Sequence, residues 1–203
     1  MGVKICGIKT MEAAKAAVDA GADFIGFVFA ESKRRISPEQ AKKMAAHIPS
    51  HVKKVGVFVN EDQSTIRKIA AEVGLDYIQL HGNESPQFAE SLQYPILKAF
   101  SSKNFTQIKN YSCDYYLIDG PKAGSGETFD WTDLEILDLP KDKLILAGGL
   151  TVHNVKNAIL TVHPATVDVS SGVETNHEKD PEKIKSFVRN ATLAYQQLKE
   201  RKE

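Results

Sequence analysis

Cys6 and Asp119 are the two side chains in this sequence that are best placed for acid–base chemistry, because each ends a short apolar run. A thiol and a carboxyl group on opposite sides of a bound sugar could act as base and acid in an isomerisation. Free cysteine is also among the most buried residue types, and an aspartate before Gly120 and Pro121 is common in turns. The residue types therefore leave two interpretations open: a catalytic pair, or a core thiol and a turn residue.

Two small glycine- and serine-rich loops follow the last two apolar runs. Gly148 and Gly149 form the first loop, and the second contains Ser170, Ser171 and Gly172. Glycines let backbone N–H groups approach an anion, and a helix beginning near Ser171 would add the attraction of its dipole. Each loop could simply terminate a strand, but two such loops in succession predict a phosphate site.

The basic run 33–35 could be a solvated surface, or it could place an arginine beside a substrate carboxylate. Guanidinium groups bind carboxylates through a planar two-point contact, which a lysine does not offer. Periodicity alone does not choose between Arg34 and Arg35.

Four further polar side chains lie in or directly after apolar runs: Gln79, His81, Lys98 and Asp168. His81 could contact a ligand or cap its strand, and without a second histidine at metal spacing it predicts no metal site. Gln79 and Asp168 are expected to contact the substrate, Asp168 alternatively a neighbouring loop. Lys98 could form the imine of a Schiff-base aldolase, or it could be an electrostatic or packing residue.

The elements that must position these groups alternate along the whole chain. Eight apolar, β-rich runs are each followed by a helix-like stretch or a loop, which is typical of a (β/α)8 TIM barrel in the α/β class. The competing doubly wound sheet is disfavoured because residues 6–9 lack a glycine fingerprint. In a barrel the strands' carboxyl ends carry the active site, so the polar groups above would share one rim. The predicted strands are 3–6, 24–29, 55–59, 77–81, 96–100, 115–119, 143–147 and 165–169, and the predicted helices are 11–20, one beginning at Pro38, 63–73, 86–92, 104–110, 131–137, 152–160 and 181–198.

Composition narrows the class of protein further. The 203 residues favour a single domain over 1–203, and 26 basic against 26 acidic residues favour neither nucleic acid nor an anionic membrane as a partner. The two cysteines fit a reducing cytosol, and no apolar run has the length of a signal peptide or a membrane span. We therefore expect a cytoplasmic protein.

Eight short motifs in order along the chain carry a family resemblance. The sequence resembles phosphoribosylanthranilate isomerase over nearly its whole length, and KICG, QLHG and DVSSGVE are specific enough to exceed fold-level analogy. The segment 122–125 is shorter and less glycine-rich than the family pattern. The motifs are KICG (4–7), FVF (27–29), SKR (32–34), GVFVN (56–60), QLHG (79–82), GETFDW (126–131), AGGL (147–150) and DVSSGVE (168–174).

The resemblance implies an Amadori rearrangement of N-(5-phosphoribosyl)anthranilate in tryptophan biosynthesis, without metal or organic cofactor. It implies that Asp119 is the general acid, Cys6 the general base, and Arg34 the group that holds the anthranilate carboxylate. Backbone groups around the two small loops would hold the phosphate of this small-molecule substrate. A thiol is half ionised only near pH 8.5, so a base role for Cys6 requires nearby positive charge, for which Lys4 is a candidate.

Three alternatives remain on sequence grounds. They are an aldolase that uses Lys98, a non-catalytic barrel that binds a phosphorylated ligand, and an isomerase that also accepts the analogous aminoaldose of histidine biosynthesis. One carboxyl acid with one cysteine base, rather than two aspartates, disfavours the last. Monomer and homodimer are equally compatible with the sequence.

Overall fold

Eight parallel strands close into a barrel in the computed structural model, which describes residues 1–102, 108–120, 131–134 and 140–201. The strands follow one another around the ring in chain order, and the first pairs with the eighth to close it. The predicted TIM-barrel fold is thus confirmed. The strands are Gly2–Cys6 (β1), Phe24–Val28 (β2), Lys53–Phe58 (β3), Tyr77–Leu80 (β4), Ile96–Ser101 (β5), Tyr115–Asp119 (β6), Leu144–Leu146 (β7) and Thr166–Val169 (β8).

Each strand of the barrel is buried on both faces, which explains the nearly continuous apolar runs. Alternate residues such as Leu97 and Ala99 join a core inside the barrel, whereas Phe100 joins the larger core between strands and helices. The rings of Phe24, Tyr77 and Tyr115 meet edge to face, with centroids 5.9 to 6.0 Å apart, and fill the inside. The barrel is therefore a packed core, and the open space lies at its rim.

Local sequence signals set the helix ends. Ser37 and Gln40 form a reciprocal capping box at the start of the second helix, with Pro38 in its first turn. Gly21 and Gly74 end the first and third helices in the left-handed conformation that favours glycine. The helices are Met11–Ala20 (α1), Pro38–Ala45 (α2), Gln63–Val73 (α3), Pro86–Leu92 (α4), Val155–Val162 (α5) and Pro181–Glu200 (α6).

The prediction of a helix over 152–160 was wrong at its start, since α5 begins three residues later. The preceding residues form a turn in which Thr151 N–H donates to Asn154 Oδ1 at 2.8 Å and Asn154 Nδ2 donates to Gly149 O at 2.9 Å. Short 3-10 turns occupy Ile108–Asn110 and Trp131–Leu134, where helices over 104–110 and 131–137 were predicted. The rest of those two predictions, the loop 120–126 beyond Gly120, the segment 122–125 and most of the GETFDW motif lie outside the described residues.

The chain beyond β8 holds an element that the sequence analysis missed. A single 3-10 turn, Ser171–Val173, stands where a helix start was expected, and a hairpin of Glu174–Thr175 (β9) and Glu178–Lys179 (β10) follows it. Asn176 and His177 at the hairpin tip both have positive φ, as two-residue hairpin turns require. Among the described residues, no helix is long and apolar enough to span a bilayer.

Candidate active site

A cavity opens at the carboxyl ends of the strands and gathers nearly all of the predicted site residues. Ten of the eleven line it, and the eleventh, Gly172, belongs to the same loop as Ser171. These residues come from β1, β4, β6 and β8 and from the loops after β2, β4, β7 and β8, so only barrel closure brings them together. The ten are Cys6, Arg34, Gln79, His81, Asp119, Gly148, Gly149, Asp168, Ser170 and Ser171.

Cys6, the last residue of β1, is 8% exposed and borders the cavity. Burial raises the pKa of its thiol, and the nearby ammonium groups of Lys4 and Lys179 act in the opposite direction. Asp168 raises the same pKa further. The net direction is upward, so burial favours the neutral thiol, and a base role depends on added positive charge.

Lys4 lies two residues before Cys6 on the same face of β1 and is fully buried. Its Nζ lies 3.0 Å from Asp168 Oδ1, across the β1–β8 seam where these two residues are register partners. Burial alone would lower the pKa of Lys4, but Asp168 and Cys6 together outweigh it and the pKa is raised. A permanent ammonium group therefore lies beneath the thiol.

Asp119 ends β6 and lines the same cavity as Cys6. Its Oδ1 accepts a hydrogen bond from the backbone N–H of Gly120 at 2.8 Å, and its Oδ2 lies 3.4 Å from His81 Nε2. Gln79 Nε2 lies 3.0 Å from His81 Nδ1, so the imidazole carries its proton on Nε2 when this amide donates. Gln79 Oε1 is buried without a partner among the described residues and is free to accept a hydrogen bond from a ligand.

The two small loops after β7 and β8 pack against each other at one side of the cavity. Gly148 has a φ of 81°, and a Cβ there would lie 2.2 Å from the backbone nitrogen of Gly120. A Cβ on Gly172 would lie 1.8 Å from the carbonyl oxygen of Leu150. Among the hydrogen bonds between described residues, none uses the N–H group of Gly148, Gly149, Ser171 or Gly172. These donors can therefore serve an anion.

Arg34 enters the cavity, whereas Arg35 lines a separate groove with Ser37 and Pro38. Two guanidinium nitrogens of Arg34 donate to Glu174, Nε to Oε1 at 2.7 Å and Nη2 to Oε2 at 2.9 Å. This bidentate pair fixes the plane of the guanidinium and leaves Nη1 available for a second anion. Of the two arginines between which periodicity does not choose, Arg34 is the one that borders this cavity.

Lys98 lies on the other face of β5 and does not border the cavity. Its Nζ lies 3.0 Å from Glu84 Oε2 and 2.6 Å from Gly82 O, both in the loop after β4. The Schiff-base hypothesis is therefore wrong for this lysine, which ties β5 to that loop. Cys113 is buried outside the cavity, where burial raises the pKa of its thiol to about 12.

Sequence reasoning missed Glu174 and Lys179 as parts of this site. The carboxylate of Glu174 forms ion pairs with both Arg34 and Lys179. Burial raises the pKa of Glu174, but the two cations lower it more. The DVSSGVE motif includes Glu174, but no sequence pattern links Lys179 to the rim before the hairpin is known. No group of three or more metal-ligating side chains occurs among the described residues.

Comparison with known proteins identifies the family. The family model for N-(5'-phosphoribosyl)anthranilate (PRA) isomerase matches residues 3–190. The chain belongs to the PRA isomerase family. The resemblance carried by the eight motifs is thereby confirmed.

PRA isomerases of known sequence and structure match almost end to end. The Listeria innocua enzyme is 50% identical over 198 residues, which cover 94% of this chain and 98% of the relative. A crystal structure of monomers generated from the dimeric PRA isomerase of Thermotoga maritima has a TM-score of 0.84 at 40% identity, with 95% and 98% coverage. A PRA isomerase in complex with reduced 1-(o-carboxyphenylamino)-1-deoxyribulose 5-phosphate has a TM-score of 0.83 at 38% identity, with 95% and 98% coverage.

Proposed function

We propose that this chain catalyses the Amadori rearrangement of N-(5-phosphoribosyl)anthranilate to 1-(2-carboxyphenylamino)-1-deoxyribulose 5-phosphate, a step of L-tryptophan biosynthesis. One observation carries the proposal: a thiol, a carboxyl group, an arginine and two anion-type loops meet in a single cavity. The PRA isomerase solved with a reduced form of that product supports the same substrate class. We also propose one domain over 1–203, a cytoplasmic location, and action as a monomer or homodimer without nucleic-acid or membrane partners.

The substrate's two anionic ends define its orientation. The loops containing Gly148, Gly149, Ser171 and Gly172 receive the phosphate through backbone N–H groups that bond to no other described residue. The anthranilate carboxylate binds Arg34, whose guanidinium Glu174 holds in a fixed plane. The ribose then spans the space between the two catalytic groups, one on each side of the barrel mouth.

Asp119 acts as the general acid. It gives its proton to the ribose ring oxygen, the bond between that oxygen and C1 breaks, and the substrate nitrogen supplies the electrons that form an iminium ion. His81 faces the carboxyl group at 3.4 Å and is expected to keep its orientation. Gln79 holds His81 in turn and offers Oε1 to a sugar hydroxyl.

Cys6 acts as the general base from its thiolate form. It removes the proton on C2, the C–H electrons form the C1–C2 double bond, and the iminium nitrogen becomes neutral again. The resulting enolamine gains a proton at C1 and loses the O2 proton, which gives the ketone. Burial opposes the thiolate, whereas Lys4 and the positive iminium favour it at the moment of proton removal.

Complementation of a tryptophan auxotroph that lacks PRA isomerase tests the proposal directly. Growth without tryptophan is expected for the native chain, and its absence would favour a non-catalytic barrel that binds phosphorylated ligands.

In the purified enzyme, Cys6→Ser and Asp119→Asn should each lower kcat about 10²- to 10⁴-fold with little change in KM. Cys113→Ser is the matched control, because this second buried thiol lies outside the cavity. Turnover close to native in Cys6→Ser would refute the assignment of the base.

A further inference from the structure

Lys179 is a charged residue in the site that the mechanism above does not use. It lies in β10 of the small hairpin after β8, yet its side chain is only 4% exposed. Lysines are almost never so deeply buried unless their charge is paired. Its Nζ lies 2.5 Å from Glu174 Oε1 and 3.1 Å from the carbonyl oxygen of Ser170. The hairpin thus directs one ammonium group inward against the rim of the cavity.

Two paths of contact lead from Lys179 into the cavity. In the first, Lys179 binds Glu174 Oε1, and the same oxygen accepts from Arg34 Nε at 2.7 Å. In the second, Lys179 Nζ donates to Ser170 Oγ at 3.3 Å, and Ser170 Oγ donates to the carbonyl oxygen of Cys6 at 3.1 Å. The ammonium group of Lys179 therefore contacts Glu174, which pairs with Arg34. It also contacts Ser170, which donates a hydrogen bond to the backbone of Cys6.

The space around these contacts leaves little room for rearrangement. A Cβ on Gly7 would lie 2.6 Å from Arg34 Cδ and 3.2 Å from Ser170 Oγ, so both side chains press against this glycine. Glu174, with a side-chain exposure of 7%, cannot turn to water when a partner is lost. Without Lys179, Glu174 would keep only Arg34 and would draw that guanidinium toward itself.

We propose that Lys179 is a positioning residue for the reaction: through Glu174 it holds Arg34 in the orientation that receives the anthranilate carboxylate, and its charge faces Cys6. The inference rests on the proposed function for the identity of the carboxylate. Burial lowers the pKa of Lys179 more than Glu174 raises it, and the field of Lys179 lowers the pKa of Cys6. The other charged groups that face Cys6 are Lys4, Asp168 and Arg34.

Lys179→Met and Lys179→Gln test the proposal, with Glu178→Gln as the matched control. Glu178 lies in the same strand but pairs with Lys9 at the surface, where it is 62% exposed. In a Cys113→Ser background Cys6 is the only thiol, so its ionisation is measured by the rate of iodoacetamide alkylation against pH. This readout does not require isomerase activity and stays informative if the proposed function fails.

The midpoint of alkylation should move to higher pH in both Lys179 variants, because a nearby positive charge is lost. KM for the substrate should rise about tenfold in Lys179→Met and less in Lys179→Gln, whose amide can still donate to Glu174. Glu178→Gln should change neither quantity. A native midpoint in folded Lys179→Gln would overturn the proposal, as would a KM in Lys179→Met equal to that of the control. If circular dichroism shows that Lys179→Met does not fold, Lys179→Gln decides by its midpoint alone.

Discussion

Replacing Lys4 with methionine should destabilise the protein more than most single changes. Lys4 and Asp168 lie 3.0 Å apart in the barrel interior, with side-chain exposures of 0% and 9%. Coulomb's law gives an attraction of about 6 kcal/mol at that distance with an effective dielectric constant of 20. Desolvation offsets part of it, and loss of one partner of a buried pair costs about 3 to 5 kcal/mol, because the other charge is stranded.

The stranded charge makes the loss depend on the partner. Lys4→Met combined with Asp168→Asn should recover most of the loss, since neither charge of the pair remains. In the native protein, the raised pKa of Lys4 keeps the ammonium charged at neutral pH, and its contribution is lost only as pH rises through that raised value.

Urea unfolding of the native protein and the three variants, including Asp168→Asn alone, measures these free energies in a double-mutant cycle. The coupling energy between the two positions should exceed about 2 kcal/mol at pH 8. A loss below about 1 kcal/mol in Lys4→Met, or a double variant no more stable than the single one, would refute the buried-pair argument.

Three further predictions concern the site. Arg34→Ala should raise KM by tenfold or more with a smaller effect on kcat, whereas Arg35→Ala should leave both within about twofold; steady-state kinetics of the pair would contradict this if Arg35→Ala were the more damaging. Gly26→Ala should lower kcat at least tenfold with KM nearly unchanged, because a Cβ there would lie 2.8 Å from Cys6 Sγ and displace the thiol. Because burial raises the pKa of Cys6, the log of its alkylation rate by iodoacetamide in Cys113→Ser should climb with pH at a slope near one between pH 6.5 and 8.5; a flat profile, measured at constant ionic strength, would show that the thiol is already ionised.

Local signals in the sequence were sufficient for most of the fold. Helices α1, α3 and α4 have the predicted bounds, since a capping residue precedes each one and Gly21 or Gly74 ends the first two. The eight strands were equally clear, because each apolar run lies between polar segments. The start of α5 was misplaced since Thr151 and Asn154 form a turn with the spacing of a helix start.

Local sequence patterns could not predict the contacts between distant parts of the chain. A strand buried on both faces hides which residues point inward, so Lys98 was equally compatible with the cavity and with the helix layer. The pairing of Lys4 with Asp168 depends on the register between the first and eighth strands. The inward course of Lys179 depends on a hairpin whose only sequence signal is Asn176, a residue that tolerates a positive φ.

The pairing of β1 with β8 also affects how the protein folds during its synthesis. Lys4 and Asp168 are 164 residues apart, so a ribosome must add all the intervening strands before the lysine meets its counterion. Until then, Cys6 is an ordinary thiol exposed to water, open to oxidation and without the cations that set its reactivity. A chain released before residue 168 therefore carries the Cys6 thiol without the charged groups that surround it in the closed barrel.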